Sequence, residues 1–238
     1  MGLYRDHGIV LRTHKLGEAD RIVVLLTRGH GKVRAVAKGV RKTKSRFGAR
    51  LEPTSHVAML LYEGRELDVV TQADTVDHFP ALRDDLERLT RAVSMLEAVD
   101  QLAQEREENA ALYTMLLGAL RALAAHDSPL VVGAFFWKVL ALEGFRPELD
   151  ACVACGDDPA GGGFDLEEGG VLCRSCGRGT ALSDEALDLL RQVLGGRLGA
   201  ALAAPPSAAT HEVDHLATRA VEHHLERRLR SVRLLDRA

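Results

Sequence analysis

Four cysteines in one short segment constrain this chain more than any other feature. They form two C-x-x-C pairs, Cys152 with Cys155 and Cys173 with Cys176, separated by 17 residues. Each pair makes a tight turn that directs two thiolates at one ion, and the spacing is that of a tetrathiolate zinc site. Four thiolates fill the tetrahedron and leave no position for water or substrate. The sequence therefore predicts one structural zinc and no zinc catalysis.

The alternatives for these cysteines are two disulfides or four free thiols. Met1 to Asp6 opens the chain with charge and without an apolar segment, so we expect no signal peptide. The signal for myristoylation is also absent, and no apolar run approaches the ~20 residues that span a bilayer. We therefore expect a cytoplasmic protein, a location that disfavours disulfides. Gly156 and Gly177 follow the two pairs, where we expect positive φ.

The net charge of -3 conceals a strong asymmetry. Residues 1–50 carry 13 Lys or Arg against 3 Asp or Glu, a balance of +10. Residues 51–238 carry 18 against 31, a balance of -13. Such a division indicates an N-terminal part that binds a polyanion, attached to an acidic body.

The first eighty residues have the pattern of five antiparallel strands. Alternation and β-branched runs predict these strands at 7–14, 20–27, 32–38, 55–62 and 66–72. A glycine turn at 29–31 joins the second strand to the third, and a long loop separates the third from the fourth. This arrangement favours a small closed barrel of the OB type. An SH3-like barrel is the alternative.

The pattern changes to a helical period after Pro80. It predicts a long helix from Leu82 to Ala103, a helix over 109–125, and a buried helix over 130–142 capped at Ser128. The cysteine module, about residues 146–180, is followed by a helix that starts at Ser183. Residues 195–210 are predicted to be a loose connector, and a last helix to run from His211 to about Val232. The predicted fold is α+β, with an OB-type domain at 1–80 and a helical domain at 81–238 carrying the inserted zinc module.

Residues 38–50 form a segment with six basic residues of thirteen and no acid. A dense Lys/Arg cluster displaces counterions from phosphates, and an aromatic ring among the charges could stack on a base. The alternative is a solvated loop whose Phe47 packs on the barrel. The predicted nucleic-acid-binding residues are Arg34, Lys38, Arg41, Lys42, Lys44, Arg46, Phe47 and Arg50.

A set of short matches between Lys15 and His56 carries a family resemblance. It comprises Gly17-Glu18-Ala19-Asp20, Thr27 with Gly31, Val36-Ala37-Lys38-Gly39, Lys44-Ser45-Arg46 and Pro53. In these residues the chain resembles the N-terminal domain of the bacterial RecO family of recombination mediators. Glu52 stands where that pattern has a glutamine, and residues 195–210 match nothing in it.

The resemblance implies an OB barrel, a helical domain with a zinc module, and no catalytic turnover. It implies binding of single- and double-stranded DNA and annealing of complementary strands. The implied partners are RecR, the acidic C-terminal tail of single-strand-binding protein, and indirectly RecA, which is loaded onto coated DNA. The implied location is the cytoplasm, in association with the nucleoid.

Three weaker patterns leave alternatives open. Charge and fold do not separate DNA from RNA, so an RNA-binding OB protein with a zinc knuckle is one alternative. His211, Glu212 and His215 match the H-E-x-x-H pattern of zinc hydrolases, although an exposed histidine pair is the simpler interpretation. A C-terminal cluster of arginines could be a salt-bridged helix face or a contact to DNA or the acidic tail; it comprises Arg227, Arg228, Arg230, Arg233 and Arg237.

Overall fold

The structure is a computed structural model that describes residues 2–45, 47–177 and 179–231. It confirms the predicted α+β fold. Its contacts divide the chain into two compact units. One unit comprises the residues up to Ala125 together with the segment that starts at Leu229, and the other comprises His126–Arg228.

A closed five-stranded barrel forms the N-terminal part of the first unit. Its strands are β1 (Leu3–Leu16), β2 (Asp20–Thr27), β3 (Gly31–Ala37), β4 (His56–Tyr62) and β5 (Asp68–Asp77). They close in the order β1-β2-β3-β5-β4, with β3 and β5 parallel and the other paired strands antiparallel. This five-stranded barrel is of the OB type, as predicted.

Alternating residues of the strands fill the barrel. Val23 and Leu25 of β2 and Val33 and Ala35 of β3 are fully buried, whereas Arg34 between the last two is exposed. Residues that alternate along a strand point to opposite faces, so on β3 this pattern separates the core from the outer surface. On β2 both faces are covered, since Val24 and Leu26 are buried as well.

Three helices complete the first unit. They are α1 (Pro80–Arg83), α2 (Leu86–Leu102) and α3 (Ala110–Ala125). The prediction of one long helix from Leu82 is wrong, because the Asp85 side chain accepts hydrogen bonds from the backbone N–H groups of Glu87 and Arg88 and starts a new helix there. Leu86 is consequently 79% exposed instead of facing the core.

The segment between α2 and α3 lies across β3. Arg106 N–H donates to the carbonyl of Lys32 at 3.0 Å. Gly31 approaches the backbone of Glu107 so closely that a Cβ at this position would collide with it, and its φ is +62°. The turn between β2 and β3 therefore requires glycine.

The second unit surrounds the buried helix α4 (Val131–Leu142), whose burial on nearly all sides was predicted. Its other elements are β6 (Gly163–Asp165), β7 (Gly170–Leu172), β8 (Thr180–Ala181), α5 (Asp184–Leu194), α6 (Leu198–Leu202) and α7 (Ala208–His224). The rings of Trp137 on α4 and Phe164 on β6 pack edge to face, with centroids 5.6 Å apart, and join the small sheet to the helices.

Several predicted boundaries in this unit need correction. The prediction that residues 195–210 form a loose connector is wrong in part, because this segment contains α6 and the first residues of α7. Ser207 and Thr210 form a capping box that starts α7 three residues before His211. Leu130, and not Ser128, is the residue before the first turn of α4. The predicted helical end at Val232 lies outside the described residues, and α7 itself ends at His224.

None of the described helices combines the length and apolarity that spanning a bilayer requires.

Candidate metal centre and nucleic-acid interface

The four cysteines converge as their spacing predicted. All four sulfur atoms lie within 4.8 Å of one another, and the Sγ atoms of Cys155 and Cys173 are 3.6 Å apart. A tetrahedral zinc with Zn–S bonds of about 2.3 Å would hold its sulfurs about 3.8 Å apart. None of the cysteines is in a disulfide. The donor set and its spacing therefore fit one tetrahedral ion with four thiolate ligands.

The backbone holds both cysteine turns against the small sheet. Val153 N–H donates to Val171 on β7 at 2.9 Å, and Cys173 directly follows that strand. Gly156 N–H closes the first turn on the carbonyl of Cys152 at 2.8 Å, with a φ of +81° as expected. The same expectation for Gly177 is wrong, because its φ lies outside the positive region.

The thiols differ in acidity within the cluster. Hydrogen bonds from the backbone, that of Cys173 foremost, lower the pKa of Cys152 to about 6. The backbone of Asp157 favours the Cys155 thiolate, but its thiol neighbours and burial together raise the pKa of Cys155. A bound cation deprotonates all of its thiol ligands, so metal binding would remove this difference.

The loop between β3 and β4 presents the predicted basic residues. Lys38, Arg41, Lys42, Lys44 and Arg50 are exposed. Arg34 is exposed on β3, with its guanidinium 3.8 Å from the carboxylate of Glu105. Arg46 lies outside the described residues.

Buried side chains and backbone bonds fix this basic loop to the barrel. Val40, Phe47 and Leu51 belong to the barrel core. Gly39 N–H donates to the Asp20 carboxylate at 2.7 Å, which attaches the loop to the start of β2. The basic side chains are thus carried by a folded surface with an apolar foundation.

Phe47 requires a correction. Its side chain is only 1% exposed and packs in the barrel core, so the ring is not accessible for stacking on a base. The apolar interior of the barrel retains this residue because burial of an aromatic side chain is strongly favourable. The alternative interpretation, a solvated loop with Phe47 packed inside, describes this residue correctly.

Arg21 and Glu52 form an ion pair beside the basic loop that sequence reasoning did not predict. The Arg21 guanidinium donates to the Glu52 carboxylate at 2.6 Å, which ties β2 to the end of the basic loop. Glu52 is the residue that departs from the family pattern, and the 31-residue separation gave no local signal of this pair.

The described residues do not support the hydrolase alternative. The Glu212 carboxylate accepts a hydrogen bond from Ser183 N–H at 2.7 Å, at the start of α5. His211 and His215 are exposed on α7. Among the described residues, the four cysteines are the only close group of three or more metal-ligating side chains. The third ligand that a zincin needs is therefore absent from the described part of the chain.

The C-terminal arginines are only partly described. Arg227, Arg228 and Arg230 are exposed, whereas Arg233 and Arg237 lie outside the described residues. Leu229, which lies between them in the sequence, is fully buried, so its side chain is not accessible for an apolar contact with a bound peptide.

These features define a class of protein that combines an OB-type barrel with a helical unit carrying a closed tetrathiolate cluster. Comparison with known proteins then identifies the family. The model for the recombination protein O N-terminal domain matches residues 1–79, and the model for its C-terminal domain matches residues 83–233. The chain belongs to the recombination protein O family.

A curated relative covers the whole chain. The DNA repair protein RecO of Bifidobacterium adolescentis is 44% identical over 246 residues, which include 99% of this chain and 100% of the relative. The division into domains at residue 80 stays a prediction, because the family models meet between residues 79 and 83 while the contacts group α1 to α3 with the barrel.

Proposed function

We propose that this protein is a DNA-binding recombination mediator in DNA repair. It binds single- and double-stranded DNA, anneals complementary strands and helps to load the recombinase RecA onto DNA coated with single-strand-binding protein. The proposal joins the family membership to one observation: exposed basic side chains stand on a loop that is anchored in the core of an OB-type barrel. The site of action is then the nucleoid.

The proposed DNA contact consists of Arg34 and the basic loop. The loop itself contains no acidic residue that would compete with phosphate, whereas the Arg34 guanidinium lies 3.8 Å from the Glu105 carboxylate. Backbone contacts of this kind are independent of sequence, as a mediator that acts anywhere in a genome needs. The role requires no catalytic turnover.

The metal in this proposal is one structural zinc. It would be held by Cys152, Cys155, Cys173 and Cys176, and its chemistry would be to stabilise the fold of the module. The module in turn packs Phe164 against Trp137 of the buried helix α4.

The second unit is proposed to bind partner proteins. Its residues 126–228 carry 9 Lys or Arg against 16 Asp or Glu, a balance of -7, which disfavours DNA at long range. We assign RecR and the acidic tail of single-strand-binding protein as its direct partners. The burial of Leu229 moves the proposed tail site away from residues 227–233.

A pocket of about 380 Å³ in the second unit suits the tail better. Trp137, Phe145 and Phe164 contribute apolar walls, and Arg146, His223 and His224 contribute cationic or protonatable groups. Phe145 is 55% exposed and its ring lies 3.9 Å from that of His224, centroid to centroid. An apolar terminal side chain with acidic neighbours matches this combination, although Glu167 and Glu168 also line the pocket and would repel acidic residues close to them.

Annealing of complementary oligonucleotides tests the function, measured with and without single-strand-binding protein. The expected result is faster annealing of both bare and coated strands. If the protein accelerated annealing of bare strands but not of coated strands, the mediator role would be contradicted. If it accelerated neither, the whole proposal would be overturned. Binding of the tail peptide, measured by calorimetry, should be weakened by Phe145→Ala and unchanged by Tyr62→Leu.

A further inference from the structure

A row of outward-facing apolar residues crosses one end of the barrel. Tyr62 on β4 lies beside Val69 on β5, Val69 beside Val36 on β3, and Val36 beside Ile22 on β2. Adjacent strands are about 4.8 Å apart, so the row extends about 15 Å. All four side chains retain some exposure, whereas their neighbours Leu61, Val70, Ala35 and Val23 fill the core.

Tyr62 is the most accessible member of this row. It is 44% exposed, and its cross-strand neighbour Leu3 is 61% exposed. The following turn is held firmly, since Glu63 N–H donates to Gly2 at 2.9 Å and Gly64 N–H to the buried Asp68 carboxylate at 3.0 Å. The ring is therefore presented to solvent from a backbone that is already ordered.

Charge is distributed unequally along the two sides of the row. Arg34 on β3 and Lys38 just after it flank Val36, whereas the turn after Tyr62 carries Glu63, Arg65 and Glu66, a balance of -1. Phosphates are therefore attracted more strongly to the β3 side than to the turn. A single strand whose backbone follows the basic side would direct its bases over Val36 and Val69 towards Tyr62.

We propose that Tyr62 is the aromatic platform on which a base of single-stranded DNA stacks. The proposal rests on the DNA-binding function above and identifies the accessible aromatic residue of that surface, since Phe47 is buried. Every base has a π-face, so stacking provides affinity without sequence preference. A duplex offers no free base faces along its length, so this contact discriminates in favour of single strands.

The test measures binding of labelled oligothymidine and of a blunt duplex to the full chain by fluorescence anisotropy. Tyr62→Leu should weaken oligothymidine binding by about five- to hundredfold. It should leave the salt dependence unchanged, because the variant keeps every basic side chain that binds phosphate. Tyr62→Phe keeps the ring and should restore binding to within about twofold of the wild type. Leu86→Ala, which changes an exposed apolar residue at the start of α2, is the control.

Photocrosslinking with 5-iodouracil in the oligonucleotide gives a second, direct measurement, and the crosslinked peptide should contain Tyr62. Wild-type affinity of Tyr62→Leu, with binding still abolished by neutralising the basic loop, would overturn this inference and leave the proposed function intact. Equal weakening for oligothymidine and duplex would also overturn it, as would a crosslink confined to other residues. A wild-type protein that binds no DNA would remove the proposed function itself.

Discussion

Arg106 donates a hydrogen bond of 2.6 Å to the carboxylate of Asp68, which is fully buried at the start of β5. Tyr4 on β1 donates to the same carboxylate, and so does Gly64 N–H in the preceding turn. One carboxylate thus joins β1, the β4–β5 turn and the segment that follows α2. Arg106 adopts a φ of +64°, which a non-glycine residue keeps only when its surroundings hold it there.

Replacing Asp68 by Asn should destabilise the first unit. The amide cannot serve all three donors, so we expect the free energy of unfolding at pH 7 to fall by about 2–4 kcal/mol. Urea titration measures this change. Asp74→Asn, at an exposed carboxylate that accepts a bond from Gln72, is the control and should have little effect. A decrease below about 0.5 kcal/mol for Asp68→Asn would contradict the structural role.

Protonation of the Asp68 carboxylate should lower the free energy of unfolding at acidic pH. Burial alone would raise the pKa of Asp68, but the hydrogen bonds from Arg106, Tyr4 and Gly64 outweigh burial and lower it. Its stabilisation is complete above the ordinary pKa of a carboxyl group and is lost as the pH falls through the lowered value. Urea titrations between about pH 5 and about pH 2 should show this decrease in the wild type and a flatter profile in Asp68→Asn.

His56 should give a second pH dependence, at a higher pH. Burial is the main cause that lowers its pKa, and its Nε2 lies 2.7 Å from the hydroxyl of Tyr113. In the unfolded chain, His56 is protonated below about pH 6.5, whereas in the folded protein it stays neutral to a lower pH. Its contribution to the free energy of unfolding is therefore complete above about pH 6.5 and is lost as the pH falls through the lowered pKa. His56→Gln should flatten the unfolding free energy over this range, whereas His78→Gln, at an exposed histidine, should not.

Substitution of a cysteine should remove the metal and weaken the second unit. Cys152→Ser or Cys176→Ser leaves three thiolates, and metal binding is coupled to folding. Elemental analysis should find about one zinc per chain in the wild type and much less in either variant, with a lower thermal midpoint. Metal-replete wild-type protein without zinc would refute the assignment.

Neutralising the basic loop should weaken binding to all DNA sequences alike. In a variant with Gln at Lys38, Arg41, Lys42, Lys44 and Arg46, the slope of log affinity against log salt should flatten by roughly 0.7 to 0.9 for each phosphate that is no longer neutralised. Changing Arg121 and Arg197, two exposed arginines outside the barrel strands, to Gln provides the control. Unchanged affinity and slope in the loop variant would show that DNA binds elsewhere.

The sequence by itself determined the elements whose signals are local. The cysteine spacing brought four sulfurs together, because two tight turns need few residues to direct their ligands. Alternation predicted the five strands and the OB-type barrel, and the family followed from matches concentrated between Lys15 and His56. The identity of the metal and the DNA-binding residues stay predictions, since neither spacing nor charge shows what is bound.

Tertiary structure decided the features that depend on distant residues. Phe47 lies in a basic segment, but the barrel interior buries it, and an accessible ring is found instead at Tyr62. The helix predicted from Leu82 is interrupted at Asp85 by a cap that competes with apolar periodicity. Arg106 meets Asp68 across 38 residues. Such pairs form only when folding brings distant segments together, so a local sequence pattern cannot predict them.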